Sequence, residues 1–85
     1  MTAERPGAAR IVIADDHPLL REALSHALSR EADLKVVGEA TDGADALQLC
    51  RRLQPDLVLM DVRMPKMDGL EAARVIKEEF LVLSC

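Results

Sequence analysis

Acidic residues at the ends of two apolar segments are the side chains in this sequence best placed to do chemistry. Asp15 and Asp16 directly follow the apolar run 11–14, and Asp61 follows the apolar run 57–60. Carboxylates held within a few ångströms repel one another unless a cation lies among them. Carboxylates completed by a backbone carbonyl and water suit Mg²⁺ or a similar hard cation. The pattern predicts a divalent cation site, provided that the fold brings the two segments together.

Each acid also has an ordinary structural explanation. An aspartate directly before a helix commonly caps it, so Asp16 alone identifies no site. Asp61 alone could be a loop acid. Three acids at the ends of two inner strands, on the side where open parallel sheets bind ligands, favour the metal site.

Alternating strand and helix patterns supply the elements that would position these acids. Short apolar runs predict strands, and a three-to-four-residue apolar period predicts amphipathic helices. Asp42 is a candidate cap for the second helix, Pro55 ends that helix, and Asp68 with Glu71 forms a capping-box pattern for the third. In the first helix Arg21 falls on the side away from the apolar stripe. The predicted strands are 11–14, 34–40, 57–60 and 81–84, and the first helix is 18–30.

This β-α-β-α-β-α-β order predicts an α/β fold with a parallel sheet and right-handed crossovers. The segment 34–40 carries charge and alternates in polarity, which is typical of an edge strand. We expect residues 1–9, which contain Pro6 and Gly7 and lack hydrophobic periodicity, to form a disordered tail. The folded domain is expected over 10–85.

Composition excludes several classes of function. The 85 residues include 11 Lys and Arg against 15 Asp and Glu, a net charge of −4, which disfavours direct nucleic-acid contact. Apolar runs are too short to span a membrane, and the amino terminus lacks a signal peptide, so we expect a cytoplasmic protein. Cys50 and Cys85 match no disulfide or zinc pattern and are expected to be free thiols.

Two motifs resemble those of a known family. The segments Ile-Val-Ile-Ala-Asp-Asp-His-Pro at 11–18 and Leu-Met-Asp-Val-Arg-Met-Pro-Lys-Met-Asp-Gly at 59–69 resemble the receiver domain of bacterial two-component response regulators. The opening motif and the segment 36–40 are most similar to receivers fused to LuxR-type helix-turn-helix transcription factors. The resemblance implies a flavodoxin-like sheet in the order 2-1-3-4, without the family's fifth strand.

The resemblance also implies a role for individual residues. Asp61 matches the aspartate that accepts a phosphoryl group from a sensor histidine kinase. Asp15 and Asp16 match the acidic pair that binds Mg²⁺ with Asp61, and Arg63 matches the position whose backbone carbonyl completes the metal site. Ser84 matches the hydroxyl residue that contacts the phosphoryl group. His17 and His26 are expected to have no catalytic role.

The sequence departs from the family pattern after the third helix. The link at Phe80 and Leu81 is shorter than usual. The family's fourth helix, fifth strand with its phosphoryl-binding Lys, and fifth helix have no counterpart here, and Lys77 does not match that Lys. We therefore expect an exposed apolar helix face and an unpaired edge at 81–84, which would favour a homodimer, exchange of elements between chains, or poorly cooperative unfolding.

Two other functions compete with the phosphoacceptor. The first is an interaction module that uses the receiver fold without phosphorylation, and Mg²⁺-dependent labelling of Asp61 separates it from a phosphoacceptor. The second is a hydrolase of the haloacid dehalogenase class, which places a second Asp two residues after its nucleophile. Arg63 occupies that position. We therefore expect a receiver that controls a DNA-binding output domain and is not itself an enzyme.

Overall fold

Four strands and three helices alternate along the chain. The computed structural model describes residues 7–61 and 67–84, without the side chains of 67–70 and 84. The strands are β1 (Ala9–Ala14), β2 (Leu34–Ala40), β3 (Leu57–Met60) and β4 (Val82–Ser84). The helices are α1 (Pro18–Ser29), α2 (Gly43–Leu53) and α3 (Met67–Glu79).

The strands form one parallel sheet in the order β2-β1-β3-β4. This confirms the predicted topology, with the alternating strand β2 at one edge and the apolar strands β1 and β3 in the centre. Ala14 pairs with Met60, and Met60 pairs with Ser84, so the carboxyl ends of three strands lie side by side. Residues that follow β1 and β3 must therefore meet at one edge of the sheet.

The main hydrophobic core lies between the sheet and helices α2 and α3. It is formed by Val12, Ala14, Ala40, Ala46, Cys50, Val58, Met60, Ala73 and Ile76. Helix α1 packs against β1 and β2 and has no buried residue of its own. Ile11 and Ile13 alternate with Val12 along β1 and are also buried, so both faces of this strand are covered.

A register shift in β2 accompanies a close approach of α2. Ile11 pairs with Val36 whereas Val12 pairs with Gly38, which leaves Val37 as an extra residue in β2. A Cβ atom at Gly38 would lie 3.0 Å from the Cδ1 atom of Leu53. Glycine at this position therefore allows α2 to pack closely on the edge strand.

Arg10 ties the carboxyl end of α2 to the start of the sheet. Its Nη1 atom donates to the carbonyl oxygens of Leu53 and Gln54, at 2.6 and 3.0 Å. Its backbone N–H donates to Asp56 Oδ2 at 2.9 Å. The guanidinium thus binds carbonyls left without partners at a helix end, where positive charge is also favoured.

Element boundaries agree with the sequence-based predictions in most places. Strand β2 and strand β3 have the predicted bounds, and Asp42 caps α2 by accepting from the backbone N–H of Asp45 at 2.9 Å. Strand β1 begins at Ala9, two residues earlier than predicted, and β4 begins at Val82, one residue later than predicted. The predicted start of α3 was wrong: the helix begins at Met67, so Asp68 lies within its first turn and not at the capping position.

Several leucines are exposed at the surface. Leu19 and Leu20 on α1 are 83% and 44% exposed, and Leu81 and Leu83 near the β4 edge are 69% and 56% exposed. The self-association expected from the sequence stays a prediction. Over the described ranges, none of the helices has the length and apolar character required to cross a bilayer.

Cys50 should be unreactive in the native protein. The thiol is fully buried, and this burial raises the pKa of Cys50 to about 11, with a further contribution from the negative charge of Glu79. Since the thiolate is the reactive form, iodoacetamide at pH 8 should modify Cys50 only after the chain is unfolded. A Cys85→Ser variant leaves one thiol, and mass spectrometry with and without denaturant measures its labelling.

The same shift gives a pH dependence of stability. The folded state holds the Cys50 proton more tightly than the unfolded chain, where the thiol pKa is about 8.5. The resulting stabilisation is complete below that value and is lost as the pH rises toward about 11.

In the labelling experiment, rapid alkylation of the native Cys85→Ser variant at pH 8 would contradict the buried position of Cys50.

Candidate metal and phosphoryl site

Backbone hydrogen bonds hold Asp15 and Asp61 at adjacent strand ends. The N–H of Asp15 donates to the carbonyl of Ala40, and the N–H of Asp61 donates to the carbonyl of Ala14, both at 3.0 Å. Each aspartate therefore continues the hydrogen bonding of the sheet just past its strand. The predicted meeting of the two segments is confirmed at the level of the backbone.

The acidic side chains differ in exposure. Asp15 is 2% exposed and Asp61 is 3% exposed, whereas the side chain of Asp16 is 33% exposed. Burying carboxylates costs free energy unless charge or hydrogen bonds compensate. Asp16 does not cap α1, because the N-cap position is occupied by His17. The capping explanation considered for Asp16 is therefore wrong.

The imidazole of His17 lies among the three carboxylates. Its Nδ1 atom is 3.0 Å from Asp15 Oδ1, 3.0 Å from Asp16 Oδ1 and 3.9 Å from Asp61 Oδ2. The backbone N–H of His17 also donates to Asp15 Oδ1, at 2.8 Å. The hydrogen bond with Asp15, followed by the negative charge of Asp16, raises the pKa of His17 above its usual value.

These four side chains can converge on one cation. One potential ligand atom from each of Asp15, Asp16, His17 and Asp61 lies within 4.8 Å of all the others. Asp16 Oδ1 is inaccessible to solvent and accepts no hydrogen bond from the part of the chain that the structure describes. A buried, unsatisfied carboxylate oxygen within an acidic cluster fits a divalent cation such as Mg²⁺.

Arg21 braces this end of the sheet, in contrast to the sequence-based prediction. Its Nη1 atom donates to the backbone carbonyl of Asp15 at 2.8 Å, and its Nε atom donates to Glu39 Oε1 at 3.2 Å. The side chain is 18% exposed, so its predicted position on the solvent side of α1 was wrong. A long arginine side chain can turn back from the helix flank to a strand end, which helical periodicity does not reveal.

The remaining predicted site residues are only partly described. Arg63 lies outside the described residues, as do Met64 and Pro65. The backbone of Ser84 lies at the end of β4 beside Met60, but its side chain is outside the described set.

Two further positions lie on the exposed surfaces of helices. His26 is exposed on α1, away from the cluster that contains His17. Lys77 is exposed in the last turn of α3, the end of the helix that leads into β4.

Comparisons with known proteins show which family this chain resembles. Residues 11–84 match the family model of the response regulator receiver domain. The chain is 47% identical over 77 residues to the probable transcriptional regulatory protein NarL of Mycobacterium tuberculosis, covering 91% of this chain and 36% of that protein. It is 50% identical over 70 residues to protein-glutamate methylesterase/protein-glutamine glutaminase 4 of Myxococcus xanthus, covering 82% of this chain and 20% of that protein.

A solved structure shows the same fold. The two-component response regulator of the LuxR family from an Aurantimonas species superposes with a TM-score of 0.81 at 38% identity, covering 91% of this chain and 57% of that chain. The present chain thus spans about a third of the NarL sequence and a fifth of the methylesterase. Because the family model matches residues 11–84, well over half of the chain, the chain belongs to the response regulator receiver domain family.

Proposed function

We propose that Asp61 accepts a phosphoryl group from a sensor histidine kinase. The observation that carries this proposal is the position of Asp61: a buried carboxylate at the end of β3 with one oxygen within 4.8 Å of ligand atoms from Asp15 and Asp16. A carboxylate in that setting can attack phosphorus while neighbouring oxygens hold a cation beside it.

The proposed transfer conserves atoms and charge. A lone pair on an Asp61 carboxylate oxygen forms the new P–O bond, and the P–N bond of the donor phosphohistidine breaks. The donor nitrogen keeps the electron pair of that bond and takes up one proton from solvent, which leaves its imidazole neutral. Asp61 becomes an acyl phosphate.

Asp15, Asp16 and Asp61, with the backbone carbonyl of Arg63, are the proposed ligands of Mg²⁺. When bound, the cation supplies positive charge beside the oxygens of the transferring phosphoryl group. The protein contributes the rigid placement of Asp15 and Asp61 by the sheet and the bracing of the Asp15 carbonyl by Arg21. Ser84 is the proposed hydroxyl contact to the phosphoryl group.

The proposed role of this chain is that of a switch and not that of an enzyme. The segment shared with the methylesterase relative is its receiver part. With a net charge of −4, the chain itself would not contact DNA and would act by controlling an output domain. The cytoplasmic location and the homodimer expected from the sequence stay predictions.

Phosphorylation by a small donor tests the proposal. Acetyl phosphate with Mg²⁺ should add the mass of one phosphoryl group to the wild-type chain, and Asp61→Asn should abolish this addition. Asp56→Asn is the matched control, because Asp56 is an exposed aspartate at the opposite end of β3. Intact-mass spectrometry measures both. Labelling that survives Asp61→Asn, or that needs no divalent cation, would contradict the proposal.

A further inference from the structure

His17 occupies a place in the acidic cluster that a hydrogen bond alone does not explain. The Nδ1 atom of an imidazole carries at most one hydrogen, so it can donate to one acceptor. Asp15 Oδ1 is such an acceptor, at 3.0 Å. Asp16 Oδ1 is equally close to Nδ1, at 3.0 Å, yet remains buried without a hydrogen bond from the described residues. The Nδ1 atom therefore faces two carboxylate oxygens but can donate a hydrogen bond to only one of them.

The distances from His17 Nδ1 lie within the range expected between ligands of a single cation. Ligand atoms bound at about 2.1 Å with octahedral geometry lie about 3.0 Å apart when they are adjacent and about 4.2 Å apart when they are opposite. The Nδ1 atom of His17 lies 3.0 Å from an oxygen of Asp15 and of Asp16, and 3.9 Å from an oxygen of Asp61. One cation among these atoms would also contact the unsatisfied oxygen of Asp16.

The chemistry of this donor set differs from that of an all-oxygen site. Mg²⁺ selects oxygen ligands, whereas an imidazole nitrogen suits first-row transition ions such as Mn²⁺, Co²⁺ and Zn²⁺. We infer that His17 Nδ1 is a direct ligand in this site and that the site binds such ions more tightly than Mg²⁺. This inference rests on the metal site of the proposed function and adds a selectivity to it.

The exposure of His17 fits a ligand at the mouth of the site. Its side chain is 63% exposed, whereas Asp15 and Asp61 beneath it are almost fully buried. A ligand in this position can bind a nitrogen-preferring ion and leave the coordination of Mg²⁺ to the oxygens.

Titration with two cations and a matched pair of variants tests the inference. Wild type, His17→Gln and the control His26→Gln are titrated with Co²⁺ and with Mg²⁺ by isothermal calorimetry. We expect His17→Gln to weaken Co²⁺ binding by at least about tenfold, because even the loss of a residue that only orients a metal ligand costs about tenfold or more in affinity. Mg²⁺ binding should change little. His26→Gln should match wild type for both ions.

A spectroscopic measurement reports the bond itself. Pulsed electron paramagnetic resonance of bound Mn²⁺ detects a directly attached nitrogen, and this signal should be present in wild type and His26→Gln but absent in His17→Gln. Unchanged Co²⁺ affinity in His17→Gln would overturn the inference. Tighter binding of both ions would also overturn it, since His17 would then compete with the cation.

The variant Asp16→Asn separates this inference from the proposed function. If wild type binds neither ion, the metal site of the proposed function is wrong, and if Asp16→Asn binds both ions as well as wild type, Asp16 is not one of its ligands and the ligand set of the proposed function is wrong. If Asp16→Asn loses both ions while His17→Gln loses neither, the metal site stands and only the role of His17 is wrong.

Discussion

Adding Mg²⁺ at about one hundred times its dissociation constant should stabilise the folded chain by about 2.7 kcal/mol, because the cation binds only the folded arrangement of the acids. For a domain of this size, that stabilisation corresponds to a rise in Tm of about 11–22 °C. The bound cation also relieves the repulsion among Asp15, Asp16 and Asp61, which the fold holds together. Circular dichroism melts with Mg²⁺ and with a chelator measure the difference.

The variant Asp16→Asn should affect two quantities: the Tm measured with chelator and the rise in Tm caused by Mg²⁺. Removing one charge from the cluster raises Tm in the chelator, and losing a ligand shrinks the response to Mg²⁺. A tenfold loss of affinity would reduce the stabilisation to about half, near 1.4 kcal/mol. Asp56→Asn should leave the response intact, because Asp56 lies at the opposite end of β3. A full Mg²⁺ response in Asp16→Asn would exclude this residue as a ligand.

Replacing Ile76 with Ala should cost about 2–5 kcal/mol of folding free energy. Ile76 on α3 is fully buried in the main core, between the sheet and helices α2 and α3. Since a chain of 85 residues has a total stability of about 4–13 kcal/mol, the loss is a large fraction of it. Urea unfolding followed by circular dichroism measures the change, and Ile76→Val provides a milder variant at about 0.5–1.5 kcal/mol.

The control is an aliphatic residue at the surface. Leu19 on α1 is 83% exposed, so Leu19→Ala should change stability by less than about 0.5 kcal/mol. Equal losses at the two positions would show that the core is not where the fold places it.

The sequence contained enough information for the sheet because burial follows hydrophobic patterning. The run 57–60 is apolar throughout, as expected of a strand covered on both faces, and the charged segment Leu34–Ala40 lies at an edge. Once the strand order was fixed, the meeting of Asp15 with Asp61 followed from the parallel geometry.

Tertiary side-chain contacts could not be read from periodicity. Arg21 has the helical phase of a solvent-facing residue, but its guanidinium reaches the Asp15 carbonyl and Glu39 across the top of the sheet. His17 is expected from the sequence to have no catalytic role, and helical periodicity gives no sign that its Nδ1 atom lies within the acidic cluster. The available signal was its place directly after two acids at a strand end.

The start of α3 was mispredicted for a related reason. An aspartate is favourable both at the capping position and within the first helical turn, since the positive end of the helix dipole lies near both. The pattern of Asp68 and Glu71 therefore fits a helix that begins at either residue 67 or 69. Sequence alone does not distinguish these two starts.

The hydrogen bonds from the backbones of Asp15 and Asp61 divide the site into two parts with different dynamics. These two residues are tied into the sheet, and we expect the amides of its central strands to exchange with solvent only when the whole domain opens. Asp16 and His17 lie beyond the sheet and are more exposed, so we expect them to move on the timescale of loops. One wall of the site is therefore as persistent as the fold, and the other can open to exchange a cation without unfolding.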